Sequence, residues 1–422
     1  MISNITVPFV GLVDIALVGR MGSSAYIGGV GFGTMVFTLI YAGLYFLRMG
    51  TTGLTAQAYG ASDYRDAANS LLRAMFFALV AALMLIVLQN PIKNLLILNL
   101  NGSPDALRYA AEYFSVRIWA APATLTVFVF MGWFIGMQNS KIPMIVTIII
   151  SVTNIIISAV LVLNFGMKIE GVALGTVIAQ YTGLMFCVIF FLSKYTRLAS
   201  LFKSNTIFLR SKLKRFFSVN TDIFIRSILL TGSFFLFNAV TASLGDDILA
   251  LNSLLLQFFW FFSWVADGFA YAGGTLAGRY IGAKDSSSLS LAVKKTQMFG
   301  FFMALGFSIV YLIFANSIVE LLTDDQIIIA MSKDFYFWIW IMPVFSFQAF
   351  LLDGIYVGAT ATRTMRNVML VCVLVIYIPA IFVLKHYFGN HGMWFAILLF
   401  LTVRGVGLWL FLRKSVLSLT DR

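Results

Sequence analysis

The chain has 422 residues, of which 60% are hydrophobic and only 11% charged, with a formal net charge of +12. Soluble globular chains run nearer half apolar and a quarter charged, so this composition excludes one of them. Runs of about 20 apolar residues recur along the whole length, each long enough to cross a hydrocarbon core as a helix, and the short alternating segments of a membrane barrel are not what the sequence shows. The expected fold class is an all-α polytopic membrane protein.

Turn signals divide the chain into about twelve spans. The first half gives 1–20, 27–58, 68–96, 107–138, 142–164 and 168–193. The first span, with "PFVGLVDIALVGR" at 8–20, places Asp14 in an otherwise apolar run, six residues after Pro8. A Met directly opening an apolar helix predicts a segment missing before it. The stretch lacks the charged start and small-residue cleavage site of a signal peptide. Arg48 sits late in the second span, where it either pairs with a buried acid or snorkels to the interface. The fifth and sixth spans carry Ser151, Asn154, Ser158 and Thr176 among apolar neighbours.

A basic linker, 194–217, follows and holds Lys194, Arg197, Lys203, Arg210, Lys212, Lys214 and Arg215. The second half then gives 218–243, 247–281, 290–315, 328–360, 367–386 and 390–413. Asp222 and Arg226 stand four apart near the start of the seventh span and read as a local ion pair. Asp267 and Asp353 each precede a glycine inside an apolar span. Either could hold a cation or substrate, or merely cap a kink. The aromatic runs "LQFFWFFSW" at 256–264 and "YFWIWIMPVF" at 336–345 serve packing or line a pocket for flat, greasy molecules. Cys187 and Cys372 are packing residues within spans, and His386 and His391 show no metal-ligand spacing. Nucleotide-binding and hydrolase motifs are not readable, which points away from an enzyme.

With twelve spans the basic connectors fall on one side, and the acidic "SLGDD" and "ELLTDDQ" on the other. The positive-inside rule then places both termini in the cytoplasm, in a multi-pass inner-membrane protein. The net positive charge reads as topology and contact with anionic membrane lipids, and no nucleic acid is expected as a partner.

The chain repeats itself. "TAQAYGASD" at 55–63 matches "AGRYIGAKD" at 277–285, and "IGMQNSKIPM" from Ile135 matches "VGATATRTMR" from Val357, both at a shift of 222 residues. Two matches at one shift predict two six-helix lobes, 1–193 and 218–422, joined by the linker. Even-numbered halves insert in the same orientation, an arrangement suited to a central cleft and alternating access. Asp14 finds no acid at its counterpart, since aligning Gly22 with Gly245 sets Phe237 opposite it. An ionised aspartate at mid-bilayer costs about 2.5–3.5 kcal/mol on insertion scales, and burial favours its protonated form. Pro8 frees a backbone carbonyl and permits a bend. A bendable helix carrying a titratable acid suits a proton-coupled carrier.

"SNITVPFVGLVDIALVGRMGSSAYIGGVGFG", "FLRMGTTGLTAQAYGA", "GVALGTVIAQY", "DGFAYAGGTLAGRYIGAKD", "LLDGIYVGATATRTMRN" and "TVRG" together resemble the DinF branch of the multidrug and toxic compound extrusion (MATE) family, over essentially the whole chain. The resemblance implies two six-helix lobes and export of amphipathic or cationic compounds against H⁺ or Na⁺. It also implies a polar lead before the first span. By the same resemblance Asp14 matches the family's proton-binding, substrate-competing acid, Pro8 the proline of that helix, Asn154 and Thr176 polar members of its network, and Asp353 a functional position on the tenth helix. Ser151 and Ser158 stand where many relatives carry Asn and Asp. That departure isolates Asp14 and favours H⁺ over Na⁺. The expected function is therefore an antiporter working without cofactor or metal, as a monomer, on small amphipathic or cationic substrates. The alternative is a lipid-precursor or glycolipid flippase of the same architecture, which the mainly acidic in-span charges disfavour.

Overall fold

A computed structural model describes residues 11, 13, 14, 16–19, 23–97, 102–201 and 207–421. Pro8 lies outside the described residues. Those described form helices joined by short turns, with no strand among them. Residues 11, 13, 14 and 16–19 are helical. They are followed by α1 (Ser24–Leu44), α2 (Phe46–Gly60), α3 (Tyr64–Val87), α4 (Gln89–Ile97), α5 (Pro104–Arg117), α6 (Ala121–Gly136), α7 (Lys141–Leu163) and α8 (Ile169–Ala199). The second half contains α9 (Arg210–Ala242), α10 (Asp246–Gly282), α11 (Ser286–Leu322), α12 (Gln326–Ser332), α13 (Tyr336–Gly358), α14 (Thr362–Val371), a wide π turn at Cys372–Tyr377, and α15 (Ile378–Ser415).

Polar residues in the connectors start these helices by accepting orphan backbone N–H groups. Ser103 accepts from Ala106 and is followed by Pro104, which has no N–H to satisfy. Asp63 accepts from Asp66 at 2.9 Å, and Asp325 from Ile327 at 2.9 Å. Ten helical stretches are long and apolar enough to cross a membrane. One of them, Thr362–Thr420, is 59 residues long. At about 1.5 Å per residue that is far more than one crossing needs. Gly389, at φ 55°, breaks α15 and divides the stretch in two, a backbone turn that glycine alone takes without strain. With that division the described residues contain eleven apolar helical stretches, and the expected first span, 1–20, lies largely outside the described residues.

The chain divides into two compact units. The first comprises residues 1–55 and 63–216, the second residues 56–62 and 217–422. The last turn of α2 therefore belongs with the second unit, where Gln57 donates to the Gly358 carbonyl and to Thr360 Oγ1, both at 3.1 Å. This departs from a first lobe of 1–193. The segment expected as a linker is also largely helical where described: α8 runs on to Ala199 and α9 starts at Arg210. In the first unit Lys212 bonds Asp66 of α3 at 2.7 Å, and Arg73 Nε donates to the Ile207 carbonyl at 2.9 Å. Phe77 stacks on Phe216 at 5.2 Å.

The repeat is written into the backbone. Ser62 and Lys284 both end helices with positive φ, 55° and 56°, and so do Gln138 and Thr360, at 61° and 52°. Each pair lies 222 positions apart. The helix crossings repeat at the same shift. Gly132 of α6 packs against the Arg48 carbonyl of α2 in the first unit, and Gly354 of α13 against the Ala270 carbonyl of α10 in the second. A Cβ at either glycine would collide with that carbonyl.

Candidate functional site

In the first unit the polar residues of α7 fall at i, i+3 and i+7. Ser151, Asn154 and Ser158 thus share one face, and all three are buried. The opposite face shows Val152, Ile156 and Val160 to the surroundings. The polar stripe packs on α8, where Gly175 lets the Ser158 backbone come close. Asn154 Nδ2 donates to Thr176 Oγ1 at 3.0 Å, and that hydroxyl donates back to the Val172 carbonyl at 3.2 Å. Asn154 Oδ1 and Ser158 Oγ have no hydrogen-bond partner among the described residues.

Asp14 is 9% exposed, and its Oδ1 likewise has no hydrogen-bond partner among the described residues. Val18, one turn further on, is fully buried in a cluster with Ile169, Val172 and Ala173 of α8. Asp14 lies one turn before Val18 on the same helical stretch, and the Asn154–Thr176 bond is a separate observation on α7 and α8. A charge the sequence reading passed over also acts here: Arg117 of α5 is within electrostatic reach of Asp14. Its guanidinium donates to Tyr113 Oη at 2.7 Å and lies 4.9 Å from the Phe37 ring centroid. Arg117 is a cation inside the "EYFSVRIWAAP" span, and that alone could have marked it.

The second unit holds a denser group of charges, paired differently from the sequence reading. Asp222 does not pair with Arg226. It takes Arg366 Nη1 at 2.6 Å and the Thr362 hydroxyl at 2.9 Å, both across to α14. Arg226 turns to Asp353 of α13, and Arg404 of α15 reaches the same oxygen, Asp353 Oδ2. The cations on Asp353 are therefore two arginines of its own unit. Arg48, for which pairing with a buried acid and snorkelling were the two readings, donates to Tyr45 Oη at 2.7 Å in the first unit. Asp267 lies half-buried on α10, within electrostatic reach of both Arg226 and Arg404. Arg404 is 1% exposed.

The aromatic runs resolve as packing. Phe258, Phe259 and Phe262 are buried against Tyr311, Met342, Pro343 and Trp394, leaving no ligand-sized space, while Phe261 and Trp264 point outward. Beside the Gly389 break lies a polar hub absent from the sequence reading. Asn252 donates to Asn390 Oδ1 at 2.7 Å and to Thr241 Oγ1 at 3.2 Å. Its Oδ1 accepts from Asn390 at 3.0 Å and from Trp394 Nε1 at 2.8 Å.

A two-unit helical bundle whose in-span charges are gathered into separate buried groups is the frame in which known proteins can be compared. The MatE family model matches residues 1–160 and 223–383, two stretches that begin 222 residues apart. DNA damage-inducible protein F of Escherichia coli (strain K12) is 36% identical over 408 residues, covering 96% of this chain and 88% of that protein. The probable multidrug resistance protein NorM of Thermotoga maritima is 24% identical, over 93% of this chain and 85% of that one. Among solved structures, an outward-facing multidrug resistance MATE family transporter of the MOP superfamily superposes with a TM-score of 0.89 at 19% identity, over 100% of this chain and 94% of that one; it supports the fold. The repeat, the two units and these likenesses agree, and the chain belongs to the MATE family of multi-pass membrane transporters.

Proposed function

We propose that this transporter is a secondary antiporter of the bacterial inner membrane, exporting small amphipathic organic compounds, cationic ones included, in exchange for H⁺. The observation that carries the reading is Asp14: a buried acid whose Oδ1 finds no hydrogen-bond partner among the described residues, one turn before Val18, which is buried in a cluster with Val172 and Ala173 of α8. Ionised, it holds substrate by charge, with the polar stripe of α7 offering further hydrogen bonds. Protonated from outside, it gives that charge up and substrate leaves. The family membership and the multidrug-resistance relative support small compounds as cargo. Both termini sit in the cytoplasm on this reading, the basic connectors meet anionic lipid, and one copy of the chain is the working unit.

Acids do not predominate among the in-span charges of the structure, so charge balance alone does not disfavour a flippase. Arg73 and Arg404 are buried alongside Asp14, Asp222 and Asp353, with Arg226 nearly so. What stands against it is that a relative from Thermotoga maritima carries the name of a probable multidrug resistance protein.

The test is pH-jump transport in proteoliposomes, comparing the native chain with Asp14→Asn. Driven transport should fall to the level of empty liposomes in the variant while its melting temperature is retained. Unchanged driven transport would remove Asp14 from the coupling, and native transport indifferent to the gradient would end the antiport reading.

A further inference from the structure

The charge cluster of the second unit is poorly described as a cation site. Two permanent cations, Arg226 and Arg404, already bear on one oxygen of Asp353. A metal ion or organic cation arriving there would meet repulsion from both. Unpartnered donors outnumber unpartnered acceptors in the cluster, where Asp353 Oδ1 is the carboxylate oxygen without a hydrogen-bond partner among the described residues. Arg404 Nε and Nη1 and Arg226 Nε have no hydrogen-bond partner among the described residues. Charged N–H groups buried in that state cost more than neutral ones. Guanidinium groups are also the side chains best shaped for planar oxyanions.

The fold does not require these charges. The helix crossing at Gly354 and Ala270 is built equally at Gly132 and Arg48 of the first unit. At the shift of 222 the first unit has Met131 in place of Asp353, Tyr45 in place of Asp267 and Thr182 in place of Arg404. The same backbone contact closes there without the charge set. The cluster also has an accessible side. Exposure rises from Arg404 at 1% to the Arg226 side chain at 11%, and Asp267 and Tyr271 are half-buried.

We propose that this cluster is a binding site for the carboxylate of a small organic acid, held by Arg226 and Arg404, with Asp267 as the resident counter-ion that the ligand replaces. Asp353 stays in place and keeps the two guanidinium groups side by side. The incoming carboxylate takes hydrogen bonds from the unpartnered nitrogens, and Asp267 is left to the accessible side. The inference gives the proposed transporter a second, anion-selective site; its physiological meaning rests on the transport reading, but its measurement does not.

The experiment is titration calorimetry on the purified full chain in lipid nanodiscs, at fixed ionic strength and with no ion gradient. The probes are succinate, octanoate, inorganic phosphate and tetraphenylphosphonium. Saturable binding of at least one carboxylate is expected, weakened by about tenfold or more in Arg226→Gln, as loss of a charged hydrogen bond implies. Asp267→Asn removes the resident competitor and should tighten carboxylate binding several-fold. This variant carries the test if Arg226→Gln does not fold. A cation site predicts the reverse, so weaker carboxylate binding in Asp267→Asn would overturn the proposal. So would phosphate or tetraphenylphosphonium binding at the arginines where the carboxylates do not, or no carboxylate binding in either the native chain or Asp267→Asn. Asp14→Asn should leave this binding intact. Loss of driven transport there with carboxylate binding retained bears on the coupling alone, whereas absent binding with driven transport intact bears on this site alone.

Discussion

Asn252 uses both amide hydrogens and accepts two further bonds, tying α9, α10 and the part of α15 that follows the Gly389 break into one buried knot. Removing it orphans a tryptophan N–H and an asparagine amide at once. Asn252→Ala is expected to cost about 1–3 kcal/mol for each group left unpaired, read as a lowered melting temperature in detergent, with the α15 end most affected in hydrogen exchange. Asp285 is a different case, half-buried at the N-cap of α11. The Ser288 hydroxyl, its backbone N–H and the Ser287 hydroxyl hold its carboxyl below the usual carboxylate range. A depressed folded value means the stabilisation is fully present above the unfolded value and fades as pH falls through the folded one. The melting difference between native protein and Asp285→Ala should therefore be constant from neutral pH to about 5 and shrink below about 4. A difference that grew on acidification would contradict the hydrogen bonds drawn here. Single residues were also where the sequence misled. Asp222 and Arg226 have the spacing of a local pair, yet each side chain turns inward to a different neighbouring helix. Spacing along one helix says nothing about which partner across the bundle offers a better-desolvated bond.

Among elements, the glycine-lined crossings decide how closely helices approach. Gly132 and Gly354 are the same device used twice, each facing a backbone carbonyl that cannot move aside as a side chain could. Gly354→Val and Gly132→Val should each destabilise by about 1–3 kcal/mol or more, the cost of overpacking, measured by thermal unfolding of purified protein. Gly306 offers open space instead, and Gly306→Val should leave the melting temperature nearly unchanged. Equal effects at all three would show that the crossings do not set the packing. Element boundaries were legible wherever a polar cap followed an apolar run, as at Asp63 and Asp285. They were not legible where helices extend into the expected linker from either end, because basic residues such as Lys212 find partners on α3 and let α9 begin within it.

For the molecule as a whole, the repeat was the most readable feature, since the turns that end α2, α6, α10 and α13 keep both their sequence pattern and their backbone shape at one shift. The charge groups were less readable for the opposite reason: they differ between halves. Asp14 could be seen because a lone acid in an apolar run is conspicuous. The role of Arg404 could not, because its meaning depends on Asp353 and Arg226, 51 and 178 positions away.

The assignment of residues 56–62 to the second unit has a mechanical result. The polypeptide leaves the first unit after Thr55, returns to it at Asp63 and departs for good after Phe216, so three covalent strands tether the halves where one would do. Any displacement of one half against the other must be absorbed at all three tethers together. Two of them stand at the end of α2, only seven residues apart, which makes that short stretch the place where backbone torsion would concentrate.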